Sequence, residues 1–176
     1  KFYNKAVSRI EEINIDHWNL LYARGIAYER NNQWKNAEKD FLKVLELIPD
    51  QPDVLNYLAY SWIEQNFNLD QAKKFILKAV GIRPNDPYFI DSLGWAYYSL
   101  KEYGKAVEEL EKAIKLKPTD PIINDHLGDA YLKINRNLEA LYQWKKAIQF
   151  KPENDLEKKI KKKIKKYDNN NQLDLL

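Results

Sequence analysis

A period of 34 to 35 residues runs through the chain and limits what it can fold into. Leu58, Ala59 and Trp62 recur as Leu93, Gly94 and Tyr97, then as Leu127, Gly128 and Tyr131, and an earlier copy reads Arg24, Gly25 and Tyr28. An alanine follows each small residue by twelve positions (Ala37, Ala106, Ala140) or thirteen (Ala72), and twelve beyond each alanine stands Pro49, Pro84, Pro118 or Pro152. Self-similarity at this spacing marks a solenoid, in which each unit buries its apolar face only against its neighbours. The expectation is therefore a scaffold or binding protein, and an enzyme has to be argued against it.

The register divides the chain into residues 1–17, four units at 18–51, 52–86, 87–120 and 121–154, and an end segment at 155–176. Apolar residues within a unit fall at helical spacing, as in Ile90, Leu93, Gly94 and Tyr97, which is one face of a helix. After a short polar turn a second amphipathic segment carries Ala106, Leu110, Ala113 and Ile114. Asp86-Pro87 and Asp120-Pro121 supply an N-cap followed by proline at the first helical position. Pro84, Pro118 and Pro152 close the preceding helices, because an interior proline loses a hydrogen bond and clashes with the turn before it. No segment alternates with period two, so the fold class is all-α. Gly94 is expected to face Ala106, and Gly128 to face Ala140, where the two helices of a unit cross.

These residues carry a family resemblance. The chain resembles tetratricopeptide repeat (TPR) proteins, with the pattern clearest in Leu93-Gly94, Tyr97, Ala106, Leu110, Ala113 and Pro118. It is repeated in Leu127-Gly128, Tyr131, Ala140, Trp144, Ala147 and Pro152. The stretches Asp91–Trp95 and Ile123–Asp129 are similar to a bacterial subgroup. The resemblance implies a right-handed superhelical solenoid of helix–turn–helix repeats with a concave groove lined by the first helix of each unit. Three residues depart from the pattern: Arg24 for leucine, Ala59 for glycine, and Asn124 for an early aromatic, which is expected to loosen the start of that helix.

The flanks extend the scheme. Phe2, Ala6, Ile10 and Ile13 share a face, as in the second helix of a truncated preceding repeat. Leu156, Ile160 and Ile164 make an apolar stripe on a lysine-rich helix suited to capping the stack, followed by a polar tail ending Leu173-Asp174-Leu175-Leu176. Residues 157–166 hold seven lysines and one glutamate, a charge of +6, so with a net +3 the remainder sums to −3. Chemistry-bearing residues are few. The chain has no cysteine and two histidines, and no phosphate-binding loop or nucleophile motif occurs. His126 sits beside Asp125 and near Asp129, a spacing that points to a structural or peptide-contacting role, and His17 is expected to be solvated. The residues point to no catalysis, metal or cofactor. The chain begins at Lys1 inside an apparent helix, as expected of a domain from a longer protein, and cytoplasm and periplasm both remain open for the compartment.

Binding is the better reading. The resemblance places Tyr22, Ile26, Asn56, Tyr60, Tyr88, Asp91, Trp95, Tyr98, Asp125 and Asp129 on the concave face. Counting Glu29, Asp53 and Glu64 as well, that face holds six acids against Arg30 and Lys133 alone. The partner is then expected to be a protein or peptide with basic or amide groups, anchored on aromatics, and not an acidic chaperone C-terminal tail. Two alternatives rank below it. One is a self-associating assembly module joined through the Phe2–Ile13 helix and the tail. The other is contact with anionic nucleic acid or membrane through the lysine helix.

Overall fold

The computed structural model describes residues 2–171, and among these it contains ten α-helices and no strand. They are α1 (Phe2–Val7), α2 (Trp18–Arg30), α3 (Trp34–Leu47), α4 (Pro52–Glu64), α5 (Leu69–Ile82), α6 (Pro87–Ser99), α7 (Tyr103–Leu116), α8 (Pro121–Lys133), α9 (Asn137–Gln149) and α10 (Asn154–Asn171). Helices α2 to α9 form four antiparallel pairs, each packing most closely within itself and then against the next pair. The tail Leu173–Leu176 lies outside the described residues.

Local chemistry sets each boundary. Asp86 Oδ1 accepts from the backbone N–H of Tyr88 at 3.0 Å, and Asp120 Oδ1 accepts from that of Ile122 at 2.9 Å. Gln51 does the same for Val54 at 3.1 Å. These bonds satisfy amide groups that the first turn of a helix leaves without partners. At the other end, Ile48, Arg83 and Lys117 take φ of −136°, −127° and −141° before Pro49, Pro84 and Pro118, because a following proline disfavours the helical conformation. Within a pair, Asn32, Lys101 and Asn135 turn the chain with φ near 60°. The α4–α5 turn is one residue longer and uses two left-handed asparagines, Asn66 and Asn68.

The helix crossings are very close. A Cβ built on Gly25, Gly94 or Gly128 would lie 2.5 Å from Phe41, 2.6 Å from Leu110, or 2.5 Å from Trp144. The expected partners, Ala106 and Ala140, sit one turn earlier on the second helix. A helical side chain leans toward the N-terminus, so Leu110 and Trp144 cover the spot above those alanines. The Ala106 carbonyl oxygen is still 3.3 Å from the built position.

The departures from the repeat pattern are built into the packing. Arg24 forms a two-point pair with buried Asp40 on α3, at 2.7 Å for each bond. Asn124 does not loosen α8. It is 2% exposed, and its amide donates to the carbonyls of Pro118 at 3.1 Å and Asp120 at 2.7 Å, tying the helix start to the loop before it. The first helix is shorter than its pattern suggests. It stops at Val7, where Arg9 and Ile10 bond three residues back and the Ser8 hydroxyl takes the Lys5 carbonyl. His17 is half-buried rather than solvated, and its Nδ1 accepts from the Asn14 N–H at 3.2 Å in a capping box. At the far end Ile160 is fully buried against α9, with Leu156, Ile164 and Tyr167 around it. None of the described helices is long and apolar enough to cross a membrane.

Gly128→Ala is expected to lower stability by about 1–3 kcal/mol, because the rigid Trp144 ring has to move. Gly81→Ala, where nothing lies within 4 Å, is expected to raise it by about 0.5–1 kcal/mol through helix propensity alone. Chemical denaturation of the two variants checks both signs.

Candidate binding face

The first helices α2, α4, α6 and α8 follow one another along one side of the stack, and α10 takes the next place in the series. Side chains of one first helix therefore reach those of the next. On this inner face the structure pairs each acid with a donor, in most cases from the following unit. Tyr57 donates to Glu29 at 3.2 Å, and the Trp95 indole N–H donates to Glu64 at 2.7 Å. Arg83 grips Asp53 with two bonds of 2.8 Å. His126 Nδ1 lies 3.0 Å from Asp91, not against its own helix's Asp125 or Asp129. Lys163 of α10 reaches Asp125 at 2.8 Å and Asp129 at 2.7 Å, and Trp144 Nε1 donates to Asp129 at 3.1 Å. All six acids that the sequence put on this face are engaged. Of the six, only Glu29 and Glu64 have neutral donors alone and keep an uncompensated charge.

Trp95 is the middle ring of a stack, 4.1 Å from His126 and 4.5 Å from Tyr98, nearly parallel to both. Offset ring pairs of this kind add to plain burial. Trp95 is therefore half-buried and holds units three and four together rather than standing free as a ligand anchor. Asp91 and His126 are buried. Desolvation works against the His126 imidazolium, but Asp91, with Asp125 and Asp129 behind it, outweighs that cost and raises the histidine pKa above its ordinary value. Burial, with Asp129 next to it, raises the Asp125 pKa against the opposing pull of Lys163. Tyr98 is pushed to about 12 by burial and by Asp129. No group of three or more metal-ligating side chains occurs among the described residues.

The other named positions fall into two sets. Tyr22 is half-buried between Phe41 and Tyr57, each 6.0 Å away, and its pKa is pushed to about 12 by burial and Asp53. Ile26 packs against the same core cluster. Asn56, Tyr60, Tyr88 and Asp91 instead come together around a hollow of about 180 Å³ that spans α4, α6 and α8 and is floored by Ile122 and Ile123. A second hollow, of about 450 Å³, lies between α2 and α4 with Glu29, Trp34, Tyr57, Tyr60 and Glu64 in its wall. Tyr57 lines both, and neither wall contains a lysine or arginine. Tyr88 and Ile122 are 48% and 46% exposed. Asn56 Oδ1 is buried and has no hydrogen-bond partner among the described residues. Tyr57 and Lys163 were not among the residues singled out from the sequence. A signal for Lys163 was present, since it follows Asp129 by 34 residues, the repeat distance itself.

Two family models match the chain, one described as TPR repeat over residues 94–135 and one as tetratricopeptide repeat over residues 18–51. The chain is a tetratricopeptide repeat protein. A TPR repeat-containing protein of Pseudomonas aeruginosa is 38% identical over 80 residues, which are 46% of this chain and 14% of that relative. The TPR chain thus spans only a small part of the length of the curated relative it matches. Among solved structures, a MamA fragment from Desulfovibrio magneticus RS-1 superposes with a TM-score of 0.66 at 23% identity, covering 76% of this chain and 75% of that one. The first TPR domain of Spaghetti, solved with the HSP90 peptide SRMEEVD, superposes at 0.60 with 18% identity over 68% and 91% of the two chains. The TPR fold is that of a protein-interaction scaffold.

The His126–Asp91 pair gives a signed pH dependence. A folded-state pKa raised above the unfolded value of about 6.5 contributes stability that is full below that value and is lost as pH rises through the folded pKa. The melting-temperature gap between wild type and His126→Gln is expected to be largest near pH 6 and to narrow on the alkaline side. A gap that widens with pH contradicts the assignment. Asp91→Ala leaves the imidazole without its partner and is expected to cost about 3–5 kcal/mol in urea denaturation.

Proposed function

We propose that this chain is a non-catalytic interaction module that binds a peptide or partner segment on the inner face, across α2, α4, α6 and the start of α8. The observation that carries this reading is the Asn56 amide oxygen. It is a buried acceptor without a partner, beside a hollow walled by Tyr57, Tyr60 and Tyr88. Most buried polar atoms in folded proteins are hydrogen-bonded, and leaving one unpaired costs about 1–3 kcal/mol. A turn of the Asn56 side chain toward the hollow lets an N–H of a bound segment satisfy it, while exposed Tyr88 and Ile122 offer apolar purchase.

The partner chemistry follows from what the face leaves free. Each acid already accepts a donor of the protein, so amide groups and apolar side chains are the main recognised features, with Glu29 and Glu64 still charged toward a basic group. The HSP90 peptide held by the Spaghetti domain is acidic, and the two hollows here carry no cation to receive such an end. The Tyr60 hydroxyl stays protonated, its pKa raised by burial and then by Glu64 and Asp91, and it remains a donor to a carbonyl of the ligand.

Asn56→Ala combined with Tyr88→Ala separates binding from folding. Removing an unpaired buried acceptor is expected to leave stability unchanged or slightly higher, whereas a structural role predicts a loss. A peptide selected on wild-type protein from a display library is expected to bind this variant at least about tenfold more weakly, a difference of about 1.4 kcal/mol, in fluorescence polarisation. Equal affinity for both proteins places the binding surface elsewhere.

A further inference from the structure

The end of the inner face differs chemically from its first half. Between α8 and α10 lies a crevice of about 310 Å³ lined by Tyr98, Leu132, Trp144 and Tyr167 on its apolar side. Its remaining lining is Lys133, Lys162, Lys163, Lys166 and a single acid, Asp129. That acid is already engaged by Lys163 and by the Trp144 indole. Lys133, Lys162 and Lys166 make no ion pair among the described residues, whereas Lys158 and Lys161 on the same helix pair with Asp155 and Glu157. Lys162 and Lys166 stand four residues apart, a like-charge spacing that weakens a helix. Three uncompensated ammonium groups thus open on one aromatic-walled hollow, at some cost to α10.

We propose that this crevice is a second recognition site, which takes an acidic peptide segment bearing an aromatic or aliphatic side chain. The lysines meet its carboxylates, and Tyr98, Leu132 and Tyr167 receive its apolar side chain. Complementary charge fixes orientation and accelerates encounter, while the buried side chain supplies the slow dissociation. A nucleic acid fits less well. A strand with a charge on every residue needs a basic track to follow, and the two hollows further along the inner face contain no lysine or arginine. The site does not depend on the Asn56 hollow.

The test uses the full chain and a dye-labelled peptide in which glutamates flank a tyrosine and a leucine, read by fluorescence polarisation. Wild type is expected to bind it, more weakly as salt rises. The triple variant Lys133→Glu, Lys162→Glu, Lys166→Glu is expected to bind at least about tenfold more weakly. The same charge change elsewhere on exposed helix surface, Lys35→Glu, Lys39→Glu, Lys74→Glu, is expected to leave affinity within about threefold. The neutral triple Lys133→Gln, Lys162→Gln, Lys166→Gln fills the same positions without reversing charge and is expected to fall between wild type and the glutamate triple. Asn56→Ala with Tyr88→Ala keeps full affinity for this probe, so failure of this site and failure of the first are separable. Three results overturn the proposal: no binding by wild type, equal loss in the two glutamate triples, or tighter binding of a single-stranded oligonucleotide of matched charge.

Discussion

Within each unit the fold depends on how closely one helix backbone approaches the other. Gly25, Gly94 and Gly128 lie so near Phe41, Leu110 and Trp144 that even a methyl group does not fit. Such contact fixes the distance and crossing angle of a pair, because ridges of side chains interdigitate in only a few ways. Three of the four units share this contact, and unit two carries Ala59 at the same position. Successive first helices lie side by side, and most polar contacts of the inner face run from one unit to the next.

The electrostatic character of that face is set by donors that do not look charged. Trp95 and Tyr57 hydrogen-bond Glu64 and Glu29 through an indole and a phenol without cancelling their charge, and His126 holds Asp91 from within an aromatic stack. The first part of the face therefore keeps the negative charge of Glu29 and Glu64 among aromatic surface, with no lysine or arginine in its hollows. Free positive charge gathers at the other end, where α10 supplies lysines and only one of them, Lys163, is drawn inward. Two chemically distinct surfaces lie along one row of helices.

The period made the solenoid, its helix pairs and most caps legible in the sequence, because those features depend on spacing within a unit. Contacts between units were harder to read. Asp91 and His126 are 35 residues apart, and nothing local distinguishes that pairing from the nearer Asp125. Asn124 and Arg24 looked like defects in the pattern, yet one stitches a helix start and the other fills a buried ion pair. Counting acids misses their partners, since in the sequence tryptophan and tyrosine look like anchors rather than hydrogen-bond donors. The crevice at α10 went unread for a related reason. In the sequence its lysines form one basic run on a capping helix, whereas the helix turns some toward Asp125 and Tyr98 and leaves others in water.

The pairing of each inner-face acid with a donor further along gives the array a grammar. Glu29 is completed by unit two, Glu64 by unit three, Asp91 by unit four and Asp129 by α10, and each time the donor is a different chemical group. A unit therefore presents a socket on one side and a plug on the other, and no two junctions share the same fitting. Removing or transposing one internal unit strands a carboxylate on one side and an unmatched donor on the other. Although the backbone repeats, the units are not interchangeable, and their order is written into the polar residues that join them.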